Sequence, residues 1–235
     1  MTIFWLVFFY LFCQVLRPIV RGRPWLMDAG SRDYDRGGKE LMVTIGNPLS
    51  RDEFVDQFQN MWPWVLAVDL QHLVGGILVI PSLLNVGDEN VQNGLVCLAI
   101  TSEMGWEIGD LLGWIYQRYF TKGGKKKVPI GIIVMMTVHH SLNMILGIPM
   151  ILKYRDNHFF HWLVFDLQAA AAVSLFITEY TKMLNVSKPN QLFQFQFLTG
   201  VSLAIMVWTR AFDWTYNCFM LIRTFYQDDA MAFFY

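Results

Sequence analysis

Long apolar blocks set the main constraint on what this chain can fold into. Several blocks of roughly 20 or more apolar residues are separated by short polar stretches that hold most of the charged side chains. An apolar helix of about 20 residues crosses the hydrocarbon core of a bilayer. The blocks lack the alternation of apolar and polar residues that is typical of barrel strands. The fold class that we predict is therefore an all-α membrane protein, a polytopic bundle of about six transmembrane helices.

Six spans are predicted from the limits of these blocks, and they divide the chain into four segments. The spans are expected at about residues 2–20, 61–85, 91–120, 128–153, 158–182 and 192–226. The segments are an N-terminal transmembrane anchor (1–23), a polar loop with an amphipathic helix that leads into the second span (24–60), a transmembrane core (61–226) and a C-terminal tail (227–235). The first span is predicted to be uncleaved because Arg21 and Arg23 follow its apolar core, whereas a signal peptide carries its positive charge before the core. Ser50 and Glu53 form the pattern of a capping box at the start of the amphipathic helix.

Basic residues are distributed unevenly between the loops. Thirteen Lys and Arg residues follow the first, third and fifth spans, and three lie on the opposite side of the predicted bundle. Cytosolic loops of membrane proteins carry an excess of Lys and Arg. We therefore predict that the odd-numbered loops face the cytosol and that both termini lie on the other side.

Composition and motifs argue against several classes of function. The formal net charge of −1 offers no basic surface for a nucleic-acid partner. Five histidines are too few for a membrane di-iron hydroxylase, and the chain has no phosphate loop, nucleophile elbow or acidic Mg²⁺ motif. We predict no metal and no cofactor.

Ionisable side chains inside the spans are the main functional signal. A charge at mid-bilayer costs about 2.5–3.5 kcal/mol on insertion scales, so such residues indicate function. They are Asp69 and His72 in span two, Glu103, Glu107 and Asp110 in span three, His139 and His140 in span four, Asp166 in span five, and Arg210 and Asp213 in span six. Asn143 lies one turn after the histidine pair. Helical spacing places the residues of span two on one face and those of span three on one face.

The charges inside the spans do not balance, because six carboxylates accompany a single mid-span arginine, Arg210. The remaining acids must be protonated, hydrated or paired with histidine. We therefore predict a polar cavity lined by spans two, three, four and six. The alternative is a hydrogen-bonded core that only holds the helices together.

The order of these motifs resembles the TLC domain, which is shared by the translocating-chain-associated membrane protein, the ceramide synthases and other TLC-domain-containing lipid proteins. His72 in LQHLVGGILVIPSLL, Asp110 in GWEIGDLLGWIYQRYF and His139-His140 in MMTVHHSLNMIL are similar to the family's early histidine, aromatic-x-x-Asp-Leu span and histidine pair. The segment ITEYTKMLN resembles the family's Glu-Ser/Thr-x-Pro-Phe-Leu-Asn turn, with Tyr180 and Lys182 departing from it, and TGVSLAIMVWTRAFDW resembles its last segment, which ends at Arg210. The resemblance covers about residues 55–225.

The resemblance implies a protein of the endoplasmic reticulum membrane that handles or senses a lipid and influences membrane lipid composition. His139, His140 and Asp110 would be the catalytic residues of such a site, since a histidine beside a carboxylate is suited to general-base chemistry. The residues expected to contact the lipid are His72, Asp69, Glu107, Asn143, Asp166 and Arg210. Of these, Arg210 would hold a carboxylate or phosphate.

Two other functions stay open at this point. Ceramide synthases carry His-Asp-x-x-Asp after the histidine pair, whereas VFDLQAAAAVSLF places Asp166 near one of those positions and Ala170 near the other. This favours the members that are not synthases, with an acyl-CoA-dependent N-acyltransferase as the enzymatic alternative. The third hypothesis is an accessory subunit or cargo receptor of a larger membrane complex, favoured by the apolar C-terminal residues 231–235.

Overall fold

The computed structural model describes residues 1–228, and regular structure in that range is helical, which confirms the all-α class. The helices are α1 (Thr2–Val20), α2 (Pro24–Asp33), α3 (Lys39–Thr44), α4 (Arg51–Leu83), α5 (Glu89–Phe120), α6 (Gly124–Lys127), α7 (Ile130–Lys153), α8 (His158–Met183), α9 (Pro189–Val207) and α10 (Trp214–Gln227). A π-helical segment, Trp208–Asp213, joins α9 to α10, and another, Tyr34–Gly38, lies between α2 and α3. Residues 229–235, which hold most of the predicted C-terminal tail, lie outside the described range.

Five helical stretches in the described residues are long and apolar enough to cross a membrane: Ile3–Val20, Arg51–Leu83, Ile130–Lys153, His158–Met183 and Pro189–Gln227. Their outer faces carry large apolar side chains that are exposed, such as Ile3 at 78%, Leu152 at 71% and Phe193 at 69%. Soluble monomers rarely expose apolar surface this continuously. The chain therefore has the character of an integral membrane protein.

The predicted third span corresponds to α5, which is 32 residues long but is not among the five apolar stretches. Its sequence contains the acidic residues Glu103, Glu107 and Asp110, which lower its mean hydropathy. All three are buried, whereas Leu112 on the opposite face is 53% exposed. The helix therefore turns its acidic face into the bundle and its apolar face outward.

Segment 24–60, predicted as a polar loop followed by an amphipathic helix, is helical over most of its length, because α2, a π-helical segment and α3 precede the start of α4. Leu26, Ala29 and Gly30 of α2 are buried, and Gly30 lies against the ring of Phe58 on α4. These small and apolar residues recur at helical spacing, so α2 has a face to pack. The boundary predicted at residue 60 also falls inside a helix, since α4 runs unbroken from Arg51 and begins with the predicted capping box of Ser50 and Glu53.

Helices α4 and α8 form the centre of the bundle, and they approach closely at two glycines. A Cβ atom on Gly75 would lie 2.4 Å from Oε1 of Gln168, and one on Gly76 would lie 3.2 Å from Cα of Ala169. Helix α5 packs against α4, α1 packs against both, and α7 packs along α5. Helices α9 and α10 pack on α8.

Two arginines of the N-terminal segment hold the C-terminal end of α8. Arg36 donates from Nη1 to the carbonyl of Thr181 (3.2 Å) and from Nη2 to that of Lys182 (3.0 Å), and Arg32 donates to the carbonyl of Met183 (3.0 Å). The last carbonyls of a helix have no partner within the helix, and cations there also complement its dipole. We call the end of the bundle at which these arginines lie the basic end. It is held together by α2 and the π-helical segment that follows it.

The close approach of α4 and α8 makes Gly75 sensitive to substitution. We expect Gly75→Ala to displace the side chain of Gln168 and to destabilise the protein by about 1–3 kcal/mol, as overpacking does. Gly200→Ala on α9 is the matched control, because nothing lies within 4 Å of a Cβ there. Thermal unfolding in detergent measures both. Equal stability of the two variants would contradict this packing, and Gln168→Ala should abolish the effect of Gly75→Ala.

Candidate functional site

Glu103 lies at the centre of the first polar group, which we call the Glu103 cluster (Gln71, His72, Glu103 and Gln168). Oε2 of Glu103 accepts hydrogen bonds from Nε2 of Gln71 (2.8 Å) and Nε2 of Gln168 (2.9 Å), and Oε1 lies 3.4 Å from Nε2 of His72. Gln71 and Gln168 are fully buried. A carboxylate with this many donors is well compensated for its loss of water.

The hydrogen bonds of His72 indicate where its protons lie. Its Nδ1 is 3.0 Å from the carbonyl of Val68, which can only accept, so Nδ1 carries a proton. Nε2 faces Oε1 of Glu103 at 3.4 Å, and a second proton is shared between these two atoms. The pair is electrically neutral whether that proton resides on the ring or on the carboxyl group, which lets both residues stay inside the bundle.

A second group, the His140 cluster (Glu107, Asp110, His140 and Asn143), lies on the same face of α5. Nε2 of His140 is 2.9 Å from Oδ2 of Asp110, and Nδ1 is 3.3 Å from Oε1 of Glu107. The other oxygen of Glu107, Oε2, accepts from Nδ2 of Asn143 at 2.9 Å. His140, Glu107 and Asp110 are all at most 5% exposed. One imidazole held between two carboxyl groups shares at least one proton with them, and such an arrangement suits proton transfer.

The indole of Trp106 separates the two clusters. Its ring centroid is 6.5 Å from that of His72 and 6.1 Å from that of His140. It also packs against Trp64 of α4 and Phe9 of α1. The ionisable groups of α4, α5 and α7 therefore form two neighbouring sites on one helix face.

A cavity of about 500 Å³ extends from the basic end of the bundle to Asp110. It is lined by residues of α1, the loop before α4, α4, α5 and the α5–α7 connection: Cys13, Arg17, Leu49, Glu53, Asp56, Gln57, Asn60, Met61, Trp64, Asp110, Gly113, Trp114, Gln117, Gly123 and Lys127. Its volume is within the roughly 300–1,000 Å³ of ligand pockets. Asp110 is the residue that belongs to both the cavity and the His140 cluster.

The lining of this cavity differs from the prediction from sequence, which expected a polar cavity lined by spans two, three, four and six. Helix α1 provides a wall through Cys13 and Arg17, whereas the lining includes no residue of α7 or of α9 and α10. Ionisable residues guided the prediction, and α1 carries none at mid-span. It packs on the bundle through a stripe of buried side chains at a spacing of four residues, Trp5, Phe9 and Cys13, and the last of these reaches the cavity.

His139 is not part of either cluster, although it was predicted with His140. His140 is 3% exposed and faces α5, whereas the side chain of His139 is exposed. Neighbouring residues of a helix point about 100° apart, so the two rings cannot face the same partner. The structure brings Asp110, Glu107, Asn143 and His140 together and places His139 beside them.

Asp69 is fully buried between α4 and α8, and its two carboxyl oxygens have no hydrogen-bond partner among the described residues. Its electrostatic neighbours are Glu179, His72 and Lys182. Glu179 is itself paired with Lys182, at 2.5 Å between Oε1 and Nζ. Asp69 thus adjoins the Glu103 cluster through His72 but does not line the cavity.

Asp166 and Arg210 belong to a separate group near α10. Asp213 and Arg210 are the electrostatic neighbours of Asp166, and Arg210 donates from Nη2 to the carbonyl of Leu167 at 3.3 Å. The guanidinium of Arg210 also lies 5.1 Å from the ring centre of Trp214. The spacing of Arg210 and Asp213 favours an intrahelical pair, but these side chains contact α8. This group joins α8 to the segment between α9 and α10.

Sequence reasoning missed the glutamines that hold Glu103. Gln71 and Gln168 are polar amides within apolar spans, and this is a signal that the sequence carries. The prediction considered ionisable residues alone and therefore left both glutamines out. Glu103 was also left out of the predicted site, although it has the largest set of hydrogen bonds there. No group of three or more His, Cys, Asp or Glu side chains has the arrangement of a metal site in residues 1–228.

Removal of the Glu103 carboxylate is expected to be strongly destabilising. Glu103→Ala leaves the donors of Gln71 and Gln168 buried without an acceptor, which should cost about 3–5 kcal/mol. Glu103→Gln keeps one acceptor oxygen and should cost less. Glu89→Gln at the exposed start of the same helix is the control, with an effect below about 1 kcal/mol. Unfolding in detergent measures all three, and a Glu103→Ala variant as stable as Glu89→Gln would refute the assigned role.

Comparison of the chain with models of protein families, with curated proteins and with solved structures gives no match. Likeness to other proteins therefore adds nothing to the geometry. Functional inference rests on the residues of the two clusters and on the cavity that reaches one of them.

Proposed function

We propose that this chain is a TLC-like integral membrane protein that binds a membrane lipid, with the lipid head group in the cavity that ends at Asp110. His140 holds Asp110 at the inner end of that cavity and exchanges a proton with the bound group through this carboxyl group. Through this binding the protein senses or handles the lipid and influences membrane lipid composition.

The position of Asp110 carries the proposal. Its carboxyl group lines the cavity and also lies 2.9 Å from Nε2 of His140. Oε1 of Glu107 lies 3.3 Å from the other ring nitrogen, and Asn143 donates a hydrogen bond to Oε2 of Glu107. A chain of side chains thus connects a space large enough for a head group to a buried imidazole. A core that serves packing alone does not require a cavity at this point.

Six spans in the membrane, with α5 as the third, are part of the same proposal. A helix of 32 residues is about 48 Å long, which exceeds the ~30 Å of the hydrocarbon core. The contacts of Glu103, Glu107 and Asp110 with α4, α7 and α8 offset the cost of placing acids at that depth. The basic end then faces the cytosol, and the resemblance to TLC proteins favours the endoplasmic reticulum.

The position of Asp166 favours binding over acyl transfer of the ceramide-synthase kind. Asp166 is the one carboxylate near the positions that such enzymes use after the histidine pair, and it engages Asp213. Ala170, at the second position, is buried and has no titratable group. The His140 cluster draws its carboxylates from α5 instead.

Retention of lipid by the purified full-length protein tests the proposal. Native mass spectrometry after extraction in a mild detergent should show the wild type with bound lipid. His140→Ala and Asp110→Asn should lower the bound fraction by about tenfold or more, because each removes a charge-assisted hydrogen bond. His139→Ala is the matched control, since the same side chain one position away is exposed, and it should retain lipid at the wild-type level.

Two results would count against lipid binding at this site. One is a wild-type protein that carries no lipid after gentle extraction, and the other is equal retention by the His139 and His140 variants when both are folded. Migration with other membrane subunits and without lipid would favour the accessory role. Purified protein that transfers an acyl group from acyl-CoA to an amine would favour the enzyme.

A further inference from the structure

The aromatic residues around Asp110 form a cage that the lipid proposal does not use. Trp106, Asp110 and Trp114 lie four residues apart along α5 and therefore on one face. Trp64 of α4 contacts both indoles, with ring centroids 5.5 Å from Trp106 and 6.1 Å from Trp114. Trp64, Trp114 and Asp110 line the cavity, and Trp106 backs Trp64. A carboxyl group at the inner end of the cavity thus shares the lining with two indoles, and a third indole lies behind Trp64.

Indole rings and a carboxylate together favour a cation. A cation over the face of Trp is stabilised by the ring quadrupole, and desolvated sites of this kind recognise quaternary ammonium groups. Asp110 uses Oδ2 for His140, and its negative charge adds to the attraction. The inner end of the cavity is therefore suited to an ammonium group.

The outer part of the cavity is suited to an anion. Arg17 and Lys127 line it near the basic end of the bundle. Nη2 of Arg17 is 3.4 Å from the carbonyl of Asn60, and its Nε has no hydrogen-bond partner among the described residues. The acids of this region have other contacts: Asp56 pairs with Arg21 at 2.8 Å, and Glu53 takes part in the capping box. Two cationic side chains, Arg17 and Lys127, thus line the outer part of the cavity.

We propose that the cavity binds the head group of a zwitterionic phospholipid, with its ammonium among Trp64, Trp114 and Asp110 and its phosphate at Arg17 and Lys127. This inference rests on the proposed function and specifies its ligand. A phosphate joined to an ammonium by a short linker has the order of charges that the cavity presents from mouth to inner end. The same chemistry occurs in free phosphocholine, so the lipid and the soluble compound must be compared.

Binding by the full-length protein in a neutral maltoside detergent tests the assignment, since phosphocholine detergents would compete. Dissociation constants are measured by native mass spectrometry for short-chain phosphatidylcholine, for phosphatidylglycerol of the same chain length, and for phosphocholine. Phosphatidylcholine should bind at least about tenfold more tightly than phosphatidylglycerol and at least about tenfold more tightly than phosphocholine. Tetramethylammonium should displace it from the wild type, while sodium at equal ionic strength should not.

Variants separate the two ends of the cavity. Trp64→Leu and Trp114→Leu should each weaken phosphatidylcholine binding about tenfold, and Trp114→Phe should weaken it less because a ring remains. Arg17→Gln should weaken binding of the lipid and leave displacement by tetramethylammonium unchanged. Trp208→Leu is the control, since Trp208 is 65% exposed and far along the chain from the cavity.

The possible failures are distinguishable. Equal binding of phosphatidylglycerol and phosphatidylcholine, with lipid retention that still depends on His140, overturns the head-group assignment and keeps the proposed function. Equal binding of phosphocholine and the lipid overturns a lipid as the occupant. Loss of retained lipid and of all titrated binding in the wild type overturns both proposals. The competition result needs no variant, so the test holds even where a tryptophan substitution prevents folding.

Discussion

The interior of this protein depends on the hydrogen-bond donors and counter-charges that compensate three carboxyl groups on one face of α5 for their loss of water. A charge removed from water costs several kcal/mol unless donors or counter-charges replace the hydration shell. Neutral glutamine donors and His72 supply this for Glu103, and His140 supplies it for Glu107 and Asp110. Because those partners come from α4, α7 and α8, satisfying the acids also fixes which helices adjoin α5.

Packing and polar contacts support each other at the centre of the bundle. The absence of side chains at Gly75 and Gly76 lets α4 and α8 approach, and that approach brings Gln168 to Glu103. Without close packing the amide would not reach the carboxylate, and without the hydrogen bond the buried amide would be costly. Small residues and interhelical hydrogen bonds are the usual means of joining helices in lipid.

Sequence reasoning located most of the helices because apolar block length is a local property. Predicted spans such as 158–182 end within a few residues of the observed helix, here His158–Met183, and the acidic face of α5 follows from spacing alone. Partners between helices do not follow from spacing, which is why Gln168 and the wall made by α1 were missed. Helical spacing does separate His139 from His140, since neighbouring residues of a helix point about 100° apart. Asp166 was misplaced for another reason: its partner comes from the far end of the chain.

The position of α1 has a consequence for any amphiphile whose polar end occupies the cavity. Cys13 and Arg17 of α1 line one side of that space, while Ile3, Val7 and Val15 on its other faces are exposed. Arg17, which lines the outer part of the cavity, lies in the last turn of α1. Acyl chains attached to a phosphate at Arg17 would therefore leave the protein beside the C-terminal end of α1, and this end of the first helix would be the place where the tails enter the bilayer.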